Sequence, residues 1–168
     1  MFFKKKCPSC GTKNSINAKN CESCSASFES SKAGIQQSIK DYDKATGLRT
    51  LSAEAYYKRG LAYQSRKQVE QAIEDFDKAI RINPEFAMAY SSRGFAYLNK
   101  EQYDRAVVDC TKAIKLDHSN AVAYMNRGTA YKLQGNTLEA TADLEKAITL
   151  SENPRLIEMA RKQIQEIS

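Results

Sequence analysis

Residues 53–86, 87–120 and 121–154 superpose without a gap at a fixed offset of 34 residues. Twelve of the 34 columns are identical in all three copies, among them Tyr56/Tyr90/Tyr124, Gly60/Gly94/Gly128, Tyr63/Tyr97/Tyr131, Ala72/Ala106/Ala140 and Ala79/Ala113/Ala147. A period of this length means stacked helical hairpins, each of which buries its apolar face against the next. The three copies account for most of the chain, so the repeat decides the fold before any single residue does.

Each copy reads as two antiparallel helices joined by a short polar turn: Arg66-Lys67-Gln68, Lys100-Glu101-Gln102 and Gln134-Gly135-Asn136. A glycine inside a helix costs about 1 kcal/mol against alanine, so three of them in one column need a packing reason. Gly60, Gly94 and Gly128, with Ala62, Ala96 and Ala130, are expected to let a neighbouring helix approach closely. Arg59, Arg93 and Arg127 precede these glycines, and Asp75, Asp109 and Asp143 follow 16 residues later in every copy. The constant offset predicts a buried ion pair across each hairpin.

These columns resemble the tetratricopeptide repeat family, whose pattern places a large aromatic, Gly, Tyr, Ala, an aromatic, Ala and often a closing Pro at fixed offsets. The usual Trp is Tyr throughout. The closing Pro is Pro84, then His118, then is displaced to Pro154, and the aromatic of the second helix is Phe76, then Cys110, then Leu144. The implied fold is an all-α superhelix of three full repeats. Upstream, Ile39 to Ala45 matches Ile73 to Ala79 at the same offset, which predicts a half repeat over 35–48. Downstream, Pro154 suits a first helical position with Asn153 as its cap. Over 154–167, Leu156, Ile157, Ala160, Ile164 and Ile167 form one apolar stripe, the pattern of a capping helix. The array is thus expected to span 35–168.

In tetratricopeptide folds the first helix of each pair lines the inner surface and holds peptides or partner helices. The resemblance implies that surface at Tyr57, Leu61 and Gln64; at Met88, Ser91, Phe95, Leu98 and Asn99; and at Val122, Met125, Thr129, Lys132 and Leu133. Most are apolar, and an exposed apolar patch marks an interaction site. A protein or peptide partner is therefore expected; a second copy of the chain, or the chain itself, could fill the same groove. The clamp by which some family members grip acidic tails needs cations where this chain has Tyr57, Leu61, Ser92, Val122 and Asn126. No such clamp is expected here.

The N-terminus carries Cys7-Pro-Ser-Cys10 and Cys21-Glu-Ser-Cys24, two C-x-x-C pairs ten residues apart. Facing turns of this kind complete a tetrahedral four-sulfur cage, the arrangement preferred by structural zinc. An iron centre or a redox dithiol is the alternative, although a thioredoxin-like dithiol needs a βαβ context that is absent. Residues 7–28 resemble short zinc-ribbon domains, with Ser25 where the second knuckle often has Gly. A module over 1–28, with only Phe2, Phe3, Ile16 and Phe28 as large apolar residues, cannot build a self-sufficient core without a metal. Residues 29–34 read as a linker.

Residues 1–34 hold six Lys and two Glu, which is +4 of the chain's +6. Lys4, Lys5, Lys6, Lys13 and Lys19 therefore offer a second reading, contact with nucleic acid, whose affinity would fall steeply with salt. A reducing, cytoplasmic setting is expected from paired cysteines without a secretory leader, and no stretch reaches the roughly 20 apolar residues of a membrane span. Cys110 is expected to be a small buried hydrophobe. An enzyme is not expected: the one histidine, His118, sits in an inter-repeat turn, and no nucleophile stands beside a base.

Overall fold

A computed structural model of the protein describes residues 4–6, 13–15 and 52–167. The chain divides into two compact units, Met1–Thr50 and Leu51–Ser168, described separately below. In the first unit, β1 (Lys4–Lys6) pairs antiparallel with β2 (Lys13–Ser15), with Lys4 opposite Ser15 and Lys6 opposite Lys13. The four paired cysteines and the half repeat at 35–48 lie outside the described residues.

The second unit is wholly helical. Its elements are α1 (Ala53–Ser65), α2 (Val69–Ile82), α3 (Ala87–Leu98), α4 (Tyr103–Leu116), α5 (Ala121–Leu133), α6 (Thr137–Leu150) and α7 (Pro154–Ile167). Consecutive helices pack as hairpins, and α1, α3, α5 and α7 also touch one another in sequence. That second row of contacts turns a string of hairpins into a superhelix with one inner wall.

Local chemistry sets the helix ends in register. The Ser52 hydroxyl accepts from the Ala55 N–H at 3.2 Å, and Asn120 Oδ1 accepts from the Ala123 N–H at 3.0 Å. Asn153 Oδ1 does the same for the Arg155 N–H at 3.0 Å, as expected of a cap. Each first helix closes through a left-handed residue, Lys67 (φ 61°), Glu101 (φ 58°) or Gly135 (φ 83°). The next N–H in each case, from Gln68, Gln102 or Asn136, returns to the carbonyl of Tyr63, Tyr97 or Tyr131. This is the six-to-one closure that satisfies the last orphan carbonyls of a helix.

Small residues set the spacing between helices. Ala72, Ala79, Ala89, Ala96, Ala106, Ala113, Ala123, Ala130, Ala140 and Ala147 are all fully buried. A Cβ on Gly60 would lie 2.6 Å from the Phe76 ring, one on Gly94 2.7 Å from Cys110 Sγ, and one on Gly128 3.0 Å from Leu144 Cγ. The glycine column therefore makes room for the one second-helix column that changes from Phe to Cys to Leu. Burial pushes the Cys110 thiol well above its ordinary range, so the group stays protonated and serves as packing.

The repeated Arg–Asp pairs bridge each hairpin as two-pronged forks. Arg59 Nε and Nη2 donate to the Asp75 carboxylate at 2.5 and 2.7 Å, Arg93 to Asp109 at 2.7 and 2.7 Å, and Arg127 to Asp143 at 2.6 and 2.8 Å. Each guanidinium also lies 5.4–6.0 Å from the centres of two tyrosine rings of its own helix: Tyr56 and Tyr63, Tyr90 and Tyr97, Tyr124 and Tyr131. The ring faces attract the cation, so tyrosines and carboxylate together replace the water it has lost. A third prong joins neighbouring repeats. Arg93 Nη1 donates to Asp77 at 2.5 Å, and Arg127 Nη1 to the Thr111 hydroxyl at 3.1 Å. Burial alone would lower the Arg93 pKa, but hydrogen bonds and charge from Asp109 and Asp77 outweigh it and hold the guanidinium ionised.

The last helix sits where the first helix of another repeat would sit. Its Gln163 and Glu166 lie 34 residues beyond Thr129 and Lys132, the residues they touch on α5. At the columns that carry Tyr, Arg, Gly and Tyr in the full repeats, α7 has Glu158, Arg161, Lys162 and Gln165, all exposed. Its opposite side packs Leu156, Ala160, Ile164 and Ile167 against Met125, Leu144 and Ala147. One face of α7 therefore seals the core, and the other meets water.

Candidate functional site: the inner face of the helical array

The inner wall is built by α1, α3, α5 and α7. A helix advances about 100° per residue, so columns three, four and seven apart share one face. Leu61, Met88, Phe95, Val122 and Leu133 stand exposed on these helices, as does Asn99 at the end of α3. Phe95 keeps 42% of its surface in solvent although it sits between buried Gly94 and Ala96, and Val122 keeps 49% beside buried Ala123.

Several residues expected on that surface are turned into the packing. Ser91 is buried and donates to the Met88 carbonyl at 3.2 Å, and Leu98 packs with Ala106 and Ala130. Met125 is 8% exposed and belongs to the core beneath α7, yet it still forms part of the pocket floor described below. Tyr57 is half-buried, its ring 4.9 Å from Phe86 and 6.0 Å from Phe76. Two other positions are occupied by the chain itself. The Thr129 hydroxyl lies 2.8 Å from the Met125 carbonyl oxygen and 3.0 Å from Gln163 Oε1, and Lys132 pairs with Glu166. The register names the face a residue is on, whereas depth depends on how closely the next helix approaches.

A pocket of about 330 Å³ opens between α3, α5 and α7. Phe95, Val122, Met125, Leu156 and Met159 supply its apolar surface, and Gln64, Ser92, Asn126, Asn153 and Arg155 its polar groups. Asn126 is anchored there by donating to the Ser91 carbonyl at 3.2 Å. Gln64 Nε2 is buried with no acceptor among the described residues. Sequence reasoning missed the α7 contribution, because an amphipathic reading assigns that helix only a buried stripe and a solvated side. The signal was present: adding 34 to Val122 and Met125 gives Leu156 and Met159.

Among the described residues no group of three or more His, Cys, Asp or Glu side chains could hold a metal ion. No helix there is long and apolar enough to cross a membrane. What the arrangement offers is a groove of mixed apolar and amide character on a rigid helical frame. Such a frame can present these side chains to another chain.

Helical hairpins of constant length, stacked so that their first helices share one inner wall, define an α-solenoid built from a two-helix repeat. The tetratricopeptide repeat model matches residues 53–86 and 87–120, and a second model of the same repeat matches 121–154. The chain belongs to the tetratricopeptide repeat family. Its structure is similar to the OM64 TPR domain of Arabidopsis, at 31% identity and a TM-score of 0.64, over 68% of this chain and 95% of that one. It is also similar to MamA, at 31% identity and a TM-score of 0.65, over 69% and 68% of the two chains. The first TPR of Spaghetti (RPAP3), bound to the HSP90 peptide SRMEEVD, matches at 25% identity and a TM-score of 0.63, over 71% and 95%. No curated protein matches the chain.

Proposed function

We propose that this protein is a non-catalytic adaptor whose inner groove holds an extended apolar or amphipathic segment of a partner protein. The observation that carries this reading is the run of half-exposed apolar side chains around the α3–α5–α7 pocket, on a wall where Leu61, Met88 and Leu133 are exposed as well. An exposed apolar patch bordered by polar groups is costly to maintain unless something covers it. The Spaghetti domain supports the reading by example, since its structure holds a bound peptide. The N-terminal module is the second contact surface in this proposal, with Cys7, Cys10, Cys21 and Cys24 as four thiolate ligands to structural zinc. The β1–β2 hairpin, whose strands bracket Cys7 and Cys10 in sequence, is consistent with it.

Selection from a library of random peptides tests the groove. The wild-type protein should enrich a defined peptide class, and Phe95→Glu combined with Val122→Glu should abolish binding of those peptides while helicity and melting temperature stay unchanged. Both positions are exposed, so the pair avoids the unfolding that a charge at buried Met125 would cause. Undiminished binding by the doubly substituted protein would remove the groove from consideration.

A further inference from the structure

We infer that the α3–α5–α7 pocket is an anchor site for a linear peptide in which an apolar side chain is followed or preceded, within two residues, by an internal Asp or Glu whose carboxylate pairs with Arg155. This rests on the groove reading above and specifies the chemistry of its occupant.

The apolar half of the requirement comes from the pocket surface. Phe95 and Val122 face Leu156 and Met159 across a space of about 330 Å³, near the lower end of ligand-holding pockets, which run from about 300 to 1,000 Å³. That size suits one or two side chains of a chain passing over it rather than a whole helix. Met159 is half exposed, and its unbranched, polarisable side chain can adapt to Leu, Ile, Met or Phe.

The acidic half comes from charge. Arg155 is the one charged residue among those lining the pocket. Its guanidinium makes no ion pair or hydrogen bond among the described residues, although Glu152 and Glu158 are close in sequence. The other inner-face charges are committed: Lys58 to Glu54 and Lys132 to Glu166. A guanidinium presents a planar fork matched to a carboxylate, so an acidic side chain is its complementary partner. One cation accounts for one carboxylate. The remaining polar lining is neutral, which favours a side-chain acid over a chain terminus that must be held together with its neighbours. Gln64 also lines this pocket, its buried Nε2 without an acceptor among the described residues.

The test uses the full chain and two displayed heptapeptide libraries, one flanked by linker on both sides and one ending in a free carboxylate. The internal library should enrich sequences that pair Leu, Ile, Met or Phe with Asp or Glu within two positions. For an enriched peptide, Arg155→Ala should weaken binding about fivefold, the upper range of a solvent-exposed ion pair. The same substitution should not change affinity for that peptide carrying Asn or Gln in place of the acid. Raising NaCl from 50 to 500 mM should erase the advantage of the acidic peptide, because an exposed pair is screened. Enriched peptides without an acid, equal loss for the acidic and amide peptides on Arg155→Ala, or enrichment only from the free-carboxylate library would each overturn the inference. The groove reading would survive those three results, provided Phe95→Glu with Val122→Glu abolishes binding. Enrichment of nothing from either library would sink both.

Discussion

The interior of each hairpin and the inner wall differ in what they allow to vary. Between the two helices of a hairpin, all three repeats carry the same Tyr, Arg, Gly, Tyr and Asp, and the Arg–Asp fork recurs with nearly the same geometry. On the inner wall the columns diverge: Tyr57, Ser91 and Met125 occupy one, and Leu61, Phe95 and Thr129 another. Every hairpin must satisfy the same buried charges, whereas each patch of wall can face different chemistry. The residues that repeat therefore hold the array together, and those that do not are free to define a binding surface.

The largest expected effect separates these two roles. Arg93→Leu leaves the Asp109 carboxylate buried without its partner and should cost about 3–5 kcal/mol, whereas Arg93→Leu with Asp109→Leu should cost about 1 kcal/mol or less. Phe95→Glu with Val122→Glu, on the wall, should stay within about 0.5 kcal/mol of the parent. Urea unfolding of these three variants and of Asp109→Leu alone checks all of this. If the double Leu variant loses the sum of the single losses, the forks are not coupled pairs and the contrast between hairpin interior and wall collapses.

The glycines sharpen the same contrast, because one identical column faces a variable one. Gly60→Ala drives a methyl to within 2.6 Å of a fully buried Phe76 ring. Overpacking of that kind costs about 1–3 kcal/mol, partly offset by about 1 kcal/mol of helix propensity. At Gly94 the obstacle is a single sulfur at 2.7 Å, with the Ala106 carbonyl oxygen at 3.3 Å, so Gly94→Ala should be milder than Gly60→Ala. Gly60→Ala combined with Phe76→Leu should cost less than the two separately in thermal melts. Strict additivity there would mean that the column is not reserved for the side chain opposite.

The fold was legible because a 34-residue period leaves few architectures open, and the Arg–Asp forks because both members recur at a constant offset of 16. The third prong was not legible, since its acceptors are Asp77 in one repeat and Thr111 in the next. Identity between copies finds contacts within the repeating unit and is blind where the unit changes. The same blindness hid the burial of Ser91 and Leu98, which share a face with exposed residues but are covered by packing. It also hid Leu156 and Met159, because α7 keeps the inner-wall columns of a repeat while losing the Tyr, Arg and Gly that made the repeats visible.

The turn between the two helices of a hairpin gives the smallest expected effect and the least ambiguous one. It joins the wall to the clasped interior and belongs to neither. Lys67 and Glu101 hold left-handed backbone with side chains that disfavour it, at a cost of about 1–2 kcal/mol, whereas Gly135 adopts the same conformation without a Cβ. Replacing Lys67 or Glu101 by Gly relieves that cost but returns about 0.4–1 kcal/mol through the greater freedom of the unfolded chain. Each substitution should therefore stabilise the protein by up to about 1.6 kcal/mol. Gly135→Ala should lose a similar amount, although an added methyl would meet nothing within 4 Å, so the loss would report backbone conformation alone. Urea midpoints of the three variants decide the matter. Destabilisation by Lys67→Gly and Glu101→Gly would mean that these side chains contribute more than their strained backbone costs, which would make the turns part of the hairpin's clasp rather than a neutral hinge between wall and interior.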